Sequence, residues 1–169
     1  MISNFWYRIF YGFQFYYNVF TDQEKETILD DAKFYLQAFD KNSPGLMSHP
    51  HLHEDVDLSK LFDKCGATDV NQSWMNYAKR GFPKNHSWHT HPYRYTGVYY
   101  FDDCENTMFK GMKKIFQIDV PKNTLVVFPA HIFHSIPVVK DDSERYSLAF
   151  DFNKGNDQDV NTGWSKLST

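Results

Sequence analysis

The sequence predicts a mainly β domain with flanking helices, folded as a double-stranded β-helix (jelly roll). Three observations carry that expectation. Aromatic residues make up 18% of the chain, with 16 Phe and 11 Tyr, which suits strands packed face to face around a pocket better than a helical bundle. From about residue 70 onward, short runs of strand-forming residues are separated by Gly, Pro, Asn and Asp turns. Only two stretches keep helical spacing.

Residues 5–20 are rich in aromatics and split by Gly12, which predicts two short strands or one bent strand. Thr21-Asp-Gln-Glu24 has the form of a capping box. Ile28, Ala32, Tyr35 and Phe39 then recur at helical spacing, predicting a helix over about 22–39. Segment 40–56 carries Pro44, Gly45 and Pro50 with His49, His51 and His53 at alternate positions, and reads as a loop. A metal would need that loop's geometry to be fixed, and nothing in the sequence fixes it, so a solvated loop is expected.

Leu58, Leu61, Phe62 and Cys65 predict a short amphipathic helix stopped by Gly66. Strands are expected over about 70–79, 86–91, 95–102, 114–119, 124–128, 132–138 and 145–153. Seven short strands of this kind suit two packed sheets of jelly-roll type. The length, 169 residues, indicates one domain with a core of its own: N-terminal strands and helix over about 5–66, a metal-binding core over about 70–153 and a polar tail over 154–169.

The net charge is −3 and the 18 Lys and Arg are scattered, so no basic stripe marks a nucleic-acid partner. Cys65 and Cys104 are too few and too isolated for a disulfide framework, which fits a reducing compartment. Polar residues interrupt the aromatic start, so neither a signal peptide nor a membrane span is expected, and a cytoplasmic location follows. The glycosylation sequons at Asn71 and Asn85 have no consequence in such a setting.

The chemistry is concentrated in the second half. His89 and His91 stand two apart, so in a strand both imidazoles share a face, and His134 can reach them from a distant strand. Three such ligands hold one divalent metal and leave coordination positions open. Arg145 follows His134 by 11 residues and shares a strand face with Ser147 and Ala149, where its guanidinium would clamp a carboxylate that also touches the metal. Thr96, Val98 and Tyr100 share a face of another strand.

From about Trp74 to Asn153 the chain resembles the Fe(II)/2-oxoglutarate-dependent oxygenases, near the prolyl-hydroxylase-like branch with its short phage and bacterial members. The matching stretches are His89-Thr-His-Pro-Tyr-Arg-Tyr-Thr-Gly-Val-Tyr-Tyr-Phe, Leu125-Val-Val-Phe-Pro-Ala-His-Ile-Phe-His-Ser-Ile-Pro and Glu144-Arg-Tyr-Ser-Leu-Ala-Phe-Asp-Phe. The resemblance implies His89 as first iron ligand and His134, rather than His131, as the distal one. It also implies that Arg145, Tyr100, Thr96 and Ser147 bind 2-oxoglutarate. The implied activity is hydroxylation of a substrate C–H bond with release of succinate and CO₂, on a peptide or a small molecule, with peptidyl proline the substrate suggested by analogy.

The chain departs from that pattern at His91, where the broad family carries a carboxylate. Three readings of His91 follow: it completes a three-histidine site, it stands back and leaves an open position, or it marks a drift from iron to zinc. Three neutral histidines, Fe(II) and the 2-oxoglutarate dianion sum to zero charge, whereas an aspartate would leave one negative charge. Equivalence of position implies that His91→Asp keeps iron and turnover. Two other activities fit the same residues: a three-histidine thiol dioxygenase, and a jelly-roll module that binds a small acid or a metal without catalysis.

Overall fold

A computed structural model describes residues 11–38, 45–83, 88–103, 106–111, 114–140 and 142–154. The elements in chain order are β1 (Gln14–Tyr17), α1 (Asp22–Lys33), β2 (Gln37–Ala38), β3 (Gly45–Met47), a 3-10 turn (Leu52–Glu54), α2 (Ser59–Cys65), β4 (Ala67–Ala78), β5 (Tyr95–Tyr100), β6 (Met108–Lys110), β7 (Ile115–Gln117), β8 (Thr124–Pro129), β9 (His134–Ser135) and β10 (Arg145–Lys154). Among the described residues the strands form two antiparallel sheets, a larger one in the order β1-β8-β5-β10-β4-β3-β2 and a smaller one in the order β7-β6-β9. Two stacked antiparallel sheets with helices at the side are the jelly roll that the sequence predicts.

The capping box at Thr21 forms as expected, with Thr21 Oγ1 accepting from the Glu24 amide at 3.2 Å and Glu24 Oε2 accepting from the Thr21 amide at 2.7 Å. The helix is shorter than its pattern suggests. The Tyr35 and Leu36 amides turn back to the carbonyls of Ala32 and Lys33, and Gln37 and Ala38 then pair with Met47 and Leu46. Strand pairing thus overrides the helical spacing, and Phe39 lies outside the described residues. Helix α2 ends on Gly66 at φ +71°, the left-handed cap that glycine adopts without strain.

Of segment 40–56, the described residues 45–56 hold β3 and the 3-10 turn rather than a plain loop, and 40–44 lie outside the described residues. Of expected strand 86–91, residues 86 and 87 lie outside the described residues, and the described part forms a bridge between His89 and His134. Expected strand 132–138 shrinks to two residues, because Pro137 has no amide to give a ladder. Strand β6 was not anticipated, and it places Phe109 between the sheets. Of the N-terminal aromatics only β1 is described as a strand, paired with β8. The tail beyond Lys154 and Cys104 also fall outside the described residues.

Alternation along the central strands divides the core in two. Tyr99, Leu148, Phe150 and Phe152 face the helices, packing with Ile28, Ala32, Leu58 and Leu61. Val98, Tyr100 and Ala149 face the smaller sheet, packing with Phe109, Phe116 and Phe128. Because β10 pairs with both β4 and β5, Asp151, Ala149, Ser147 and Arg145 form one row flanked by Thr96, Val98 and Tyr100 on one side and Trp74, Asn76 and Ala78 on the other. That inner face is the wall of the site.

Candidate metal centre

The three predicted histidines meet where the two sheets approach each other. His89 and His134 exchange backbone hydrogen bonds of 3.1 and 3.0 Å, and the His91 amide donates to the Ala130 carbonyl at 3.0 Å. Their ring centroids form a triangle with sides of 4.5 Å (His89 to His134) and 5.1 Å (His91 to each of the others). One ligand atom from each lies within 4.8 Å of those of the other two. Backbone pairing sets this convergence, so it does not depend on a loop finding its own shape.

One of the rings is held in a defined tautomer. His134 Nδ1 lies 2.9 Å from the Ile132 carbonyl, which can only accept, so Nδ1 carries the proton and Nε2 carries the lone pair. Burial pushes the pKa of His134 down to about 4, with His89 and His91 adding to the effect, so the ring is neutral at neutral pH, the form a metal binds. His91 Nδ1 lies 2.9 Å from Asp151 Oδ2, and its Nε2 is buried with no hydrogen-bond partner among the described residues. An orphaned nitrogen beside two other imidazoles is an open coordination position, and the donor set fits a divalent cation.

The histidines line a cavity of about 490 Å³ that also takes in Thr96, Arg145 and Ser147. Arg145 is 4% exposed, its Nη1 donates to the Pro137 carbonyl at 2.9 Å, and it also borders a neighbouring cavity of about 760 Å³. The structure therefore brings His89, His91, His134, Arg145, Thr96 and Ser147 together. Tyr100 stands one step back. Its hydroxyl donates at 2.7 Å to Thr107 Oγ1, and it is Thr107 that lines the cavity. The Thr96 hydroxyl donates at 2.7 Å to Asp151 Oδ1. His131 is exposed on the turn before β9.

Sequence reading missed Asp151 and Trp74. Asp151 is fully buried, and Trp74 stacks on the His91 ring at 5.6 Å between centroids with planes 24° apart. The signal for Asp151 was present, because it continues the alternation Arg145, Ser147, Ala149 by one more step. The histidine segment before β4 also forms a cluster. His51, His53 and Glu54 offer ligand atoms within 4.8 Å of one another, and His53 Nδ1 is held by Ser73 Oγ at 2.7 Å. That turn has a fixed geometry, contrary to its reading as a plain loop.

No family model matches the chain, and no curated protein matches it. Solved structures do. HygX from Streptomyces hygroscopicus, with nickel, 2-oxoglutarate and hygromycin B bound, superposes with a TM-score of 0.65 at 10% identity, over 92% of this chain and 88% of its own. A 2OG-Fe(II) oxygenase-family oxidoreductase from Burkholderia pseudomallei gives 0.62 at 13% identity, over 87% of this chain and 86% of its own. A prolyl hydroxylase from Trichoplax adhaerens, in complex with a hypoxia inducible factor peptide fragment, gives 0.59 at 12% identity over 86% of each chain. The chain has the fold of the 2-oxoglutarate/Fe(II) oxygenases, prolyl hydroxylases among them.

Proposed function

We propose that the protein is an Fe(II)/2-oxoglutarate-dependent dioxygenase that hydroxylates a C–H bond of its substrate and releases succinate and CO₂. One observation carries the reading: His89, His91 and His134 converge in the same cavity as the buried guanidinium of Arg145. Three imidazoles alone would equally suit a hydrolytic zinc site. A buried arginine on the adjoining sheet favours a cosubstrate with a carboxylate to grip.

In this reading His89, His91 and His134 hold the iron, and Arg145 holds the distal carboxylate of 2-oxoglutarate with Ser147 and Thr96 beside it. Tyr100 contributes through Thr107 rather than by direct contact. The iron and the keto acid together supply the oxidising chemistry. The protein's part is orientation and exclusion of water, and the apolar wall built from Trp74, Val98 and Ala149 provides the second.

The substrate would enter past Leu46, Met47, Phe82 and Pro83, which give the cavity an apolar side. HygX is seen with hygromycin B and the Trichoplax enzyme with a peptide, so the fold accommodates either class. Peptidyl proline is the finer proposal, by analogy with the prolyl hydroxylases. Anaerobic titration of the Fe(II)-loaded protein with 2-oxoglutarate tests the cofactor pair. A visible charge-transfer band is expected as the keto acid chelates iron, and iron binding without that band would turn the assignment to a thiol dioxygenase or a binding module.

A further inference from the structure

We infer that Asp151 is the positioning residue of the metal centre, accepting the Nδ1 proton of His91 and thereby aiming the Nε2 lone pair of that ring at the point where His89 and His134 converge. The inference deepens the three-histidine reading and rests on it.

Asp151 is fully buried, and a carboxylate taken out of water needs partners for both oxygens. Oδ1 receives the Thr96 hydroxyl proton at 2.7 Å, across the strand pair in which Asp151 stands opposite Thr96. Oδ2 makes no hydrogen bond among the described residues, although Nδ1 of the His91 imidazole lies only 2.9 Å from it. A carboxylate offers that nitrogen no proton, so a hydrogen bond across this short gap needs the proton on Nδ1, which leaves the lone pair on Nε2. Nε2 is the ring atom that is buried without a partner.

The ring is fixed in two further ways. The Trp74 indole lies nearly parallel to it and sets its plane. Asp151 sits between the β5 ladder and a register shift against β4 that begins directly after it, which gives the carboxylate its own backbone setting. His134 uses the same device with a carbonyl, that of Ile132. A carboxylate does more than a carbonyl, since it would bring a negative charge directly behind the ring of the ligand. The charge that a direct carboxylate ligand would bring thus stands behind His91 instead.

The test compares wild type, Asp151→Leu and Asp151→Asn in two measurements. Nitrogen-15 NMR of the metal-free protein reads the His91 tautomer, and competition with a chromophoric chelator reads the affinity for Co(II) and Zn(II). Asp151→Leu should lose the Nδ1-protonated tautomer and bind metal about 10- to 100-fold more weakly. Asp151→Asn, whose amide oxygen can still accept, should keep the tautomer and lose less affinity. Should the Leu variant not fold, the Asn variant carries the test by the same two readouts, and wild-type affinity in it overturns the inference. Wild-type affinity and tautomer in Asp151→Leu likewise assign Asp151 to the core alone. If wild-type protein binds neither metal, the three-histidine reading itself falls, which separates the two failures.

Discussion

His89 and His134 pair through their backbones before they pair through any metal: the amide of each donates to the carbonyl of the other, at 3.1 and 3.0 Å, and the rings stand 4.5 Å apart. The fold therefore presents both imidazoles whether or not an ion is bound. His134→Ala should keep the fold, because the backbone bonds remain, yet lose metal affinity by more than the roughly 10- to 100-fold that the loss of an outer partner costs. His131→Ala, on the exposed turn before β9, should bind metal as wild type does. Chelator competition on the two variants checks both statements, and a loss in His131→Ala with none in His134→Ala would make His131 the distal ligand.

Arg145 is almost wholly buried and already spends one N–H on the Pro137 carbonyl. In the proposed site, removing its guanidinium would take away a charge-assisted pair with the distal carboxylate of 2-oxoglutarate, worth roughly 2–4 kcal/mol when buried. Arg145→Ala should accordingly raise the 2-oxoglutarate concentration at half-saturation by about 30- to 1000-fold and leave Fe(II) affinity nearly unchanged. Titration of the charge-transfer band reads both quantities, and an unchanged requirement for the keto acid would remove Arg145 from the site.

The parts of this site that were legible in the sequence are those that obey strand alternation. Arg145, Ser147 and Ala149 were expected on one face and Thr96, Val98 and Tyr100 on another, and the β10–β5 register places both rows on the inner wall. Alternation says which face a side chain takes and not how far it reaches, so it could not show that the Tyr100 hydroxyl ends at Thr107 short of the cavity. Asp151 is less legible for a related reason, since an acidic residue near the end of a strand also suits a solvated edge. The boundary of α1 was misjudged because Tyr35 and Leu36 fit a helical stripe equally well in a turn that leads into β2.

Glu24 ties α1 and α2 together. Its carboxylate caps α1 and accepts from Lys60 Nζ on α2 at 2.7 and 2.8 Å, and these contacts, the Lys60 hydrogen bond first, hold its pKa down at about 2 from an ordinary 4.5. A carboxyl whose pKa falls on folding stabilises the fold above its unfolded value and loses that contribution as pH drops towards its folded one. Thermal stability should thus decline between about pH 4.5 and 2 through this group. In Glu24→Gln, which can still accept the Thr21 amide, that part of the decline should be absent and the melting temperature at neutral pH slightly lower. Melting curves across the pH range compare the two proteins directly, and parallel curves would show that Lys60 does not hold the carboxylate in solution.

The contact between His91 and Asp151 reverses the expectation for His91→Asp that sequence position alone supports. An aspartate oxygen reaches about as far as Nδ1 of the histidine and stops short of where Nε2 now stands. It would stand instead where Nδ1 now lies, 2.9 Å from Asp151 Oδ2. Two carboxylates would then face each other in a setting where residue 151 has no access to water and the side chain of residue 91 is 14% exposed. Unpairing a buried charge in this way costs about 3–5 kcal/mol. His91→Asp should therefore lose both metal affinity and thermal stability, and adding Asp151→Asn to it should restore the stability but not the affinity. Melting temperature and chelator competition on the single and double variants separate the two effects. Wild-type metal affinity in His91→Asp alone would mean that residue 91 can take the place of the family's carboxylate after all, with Asp151 no more than a bystander.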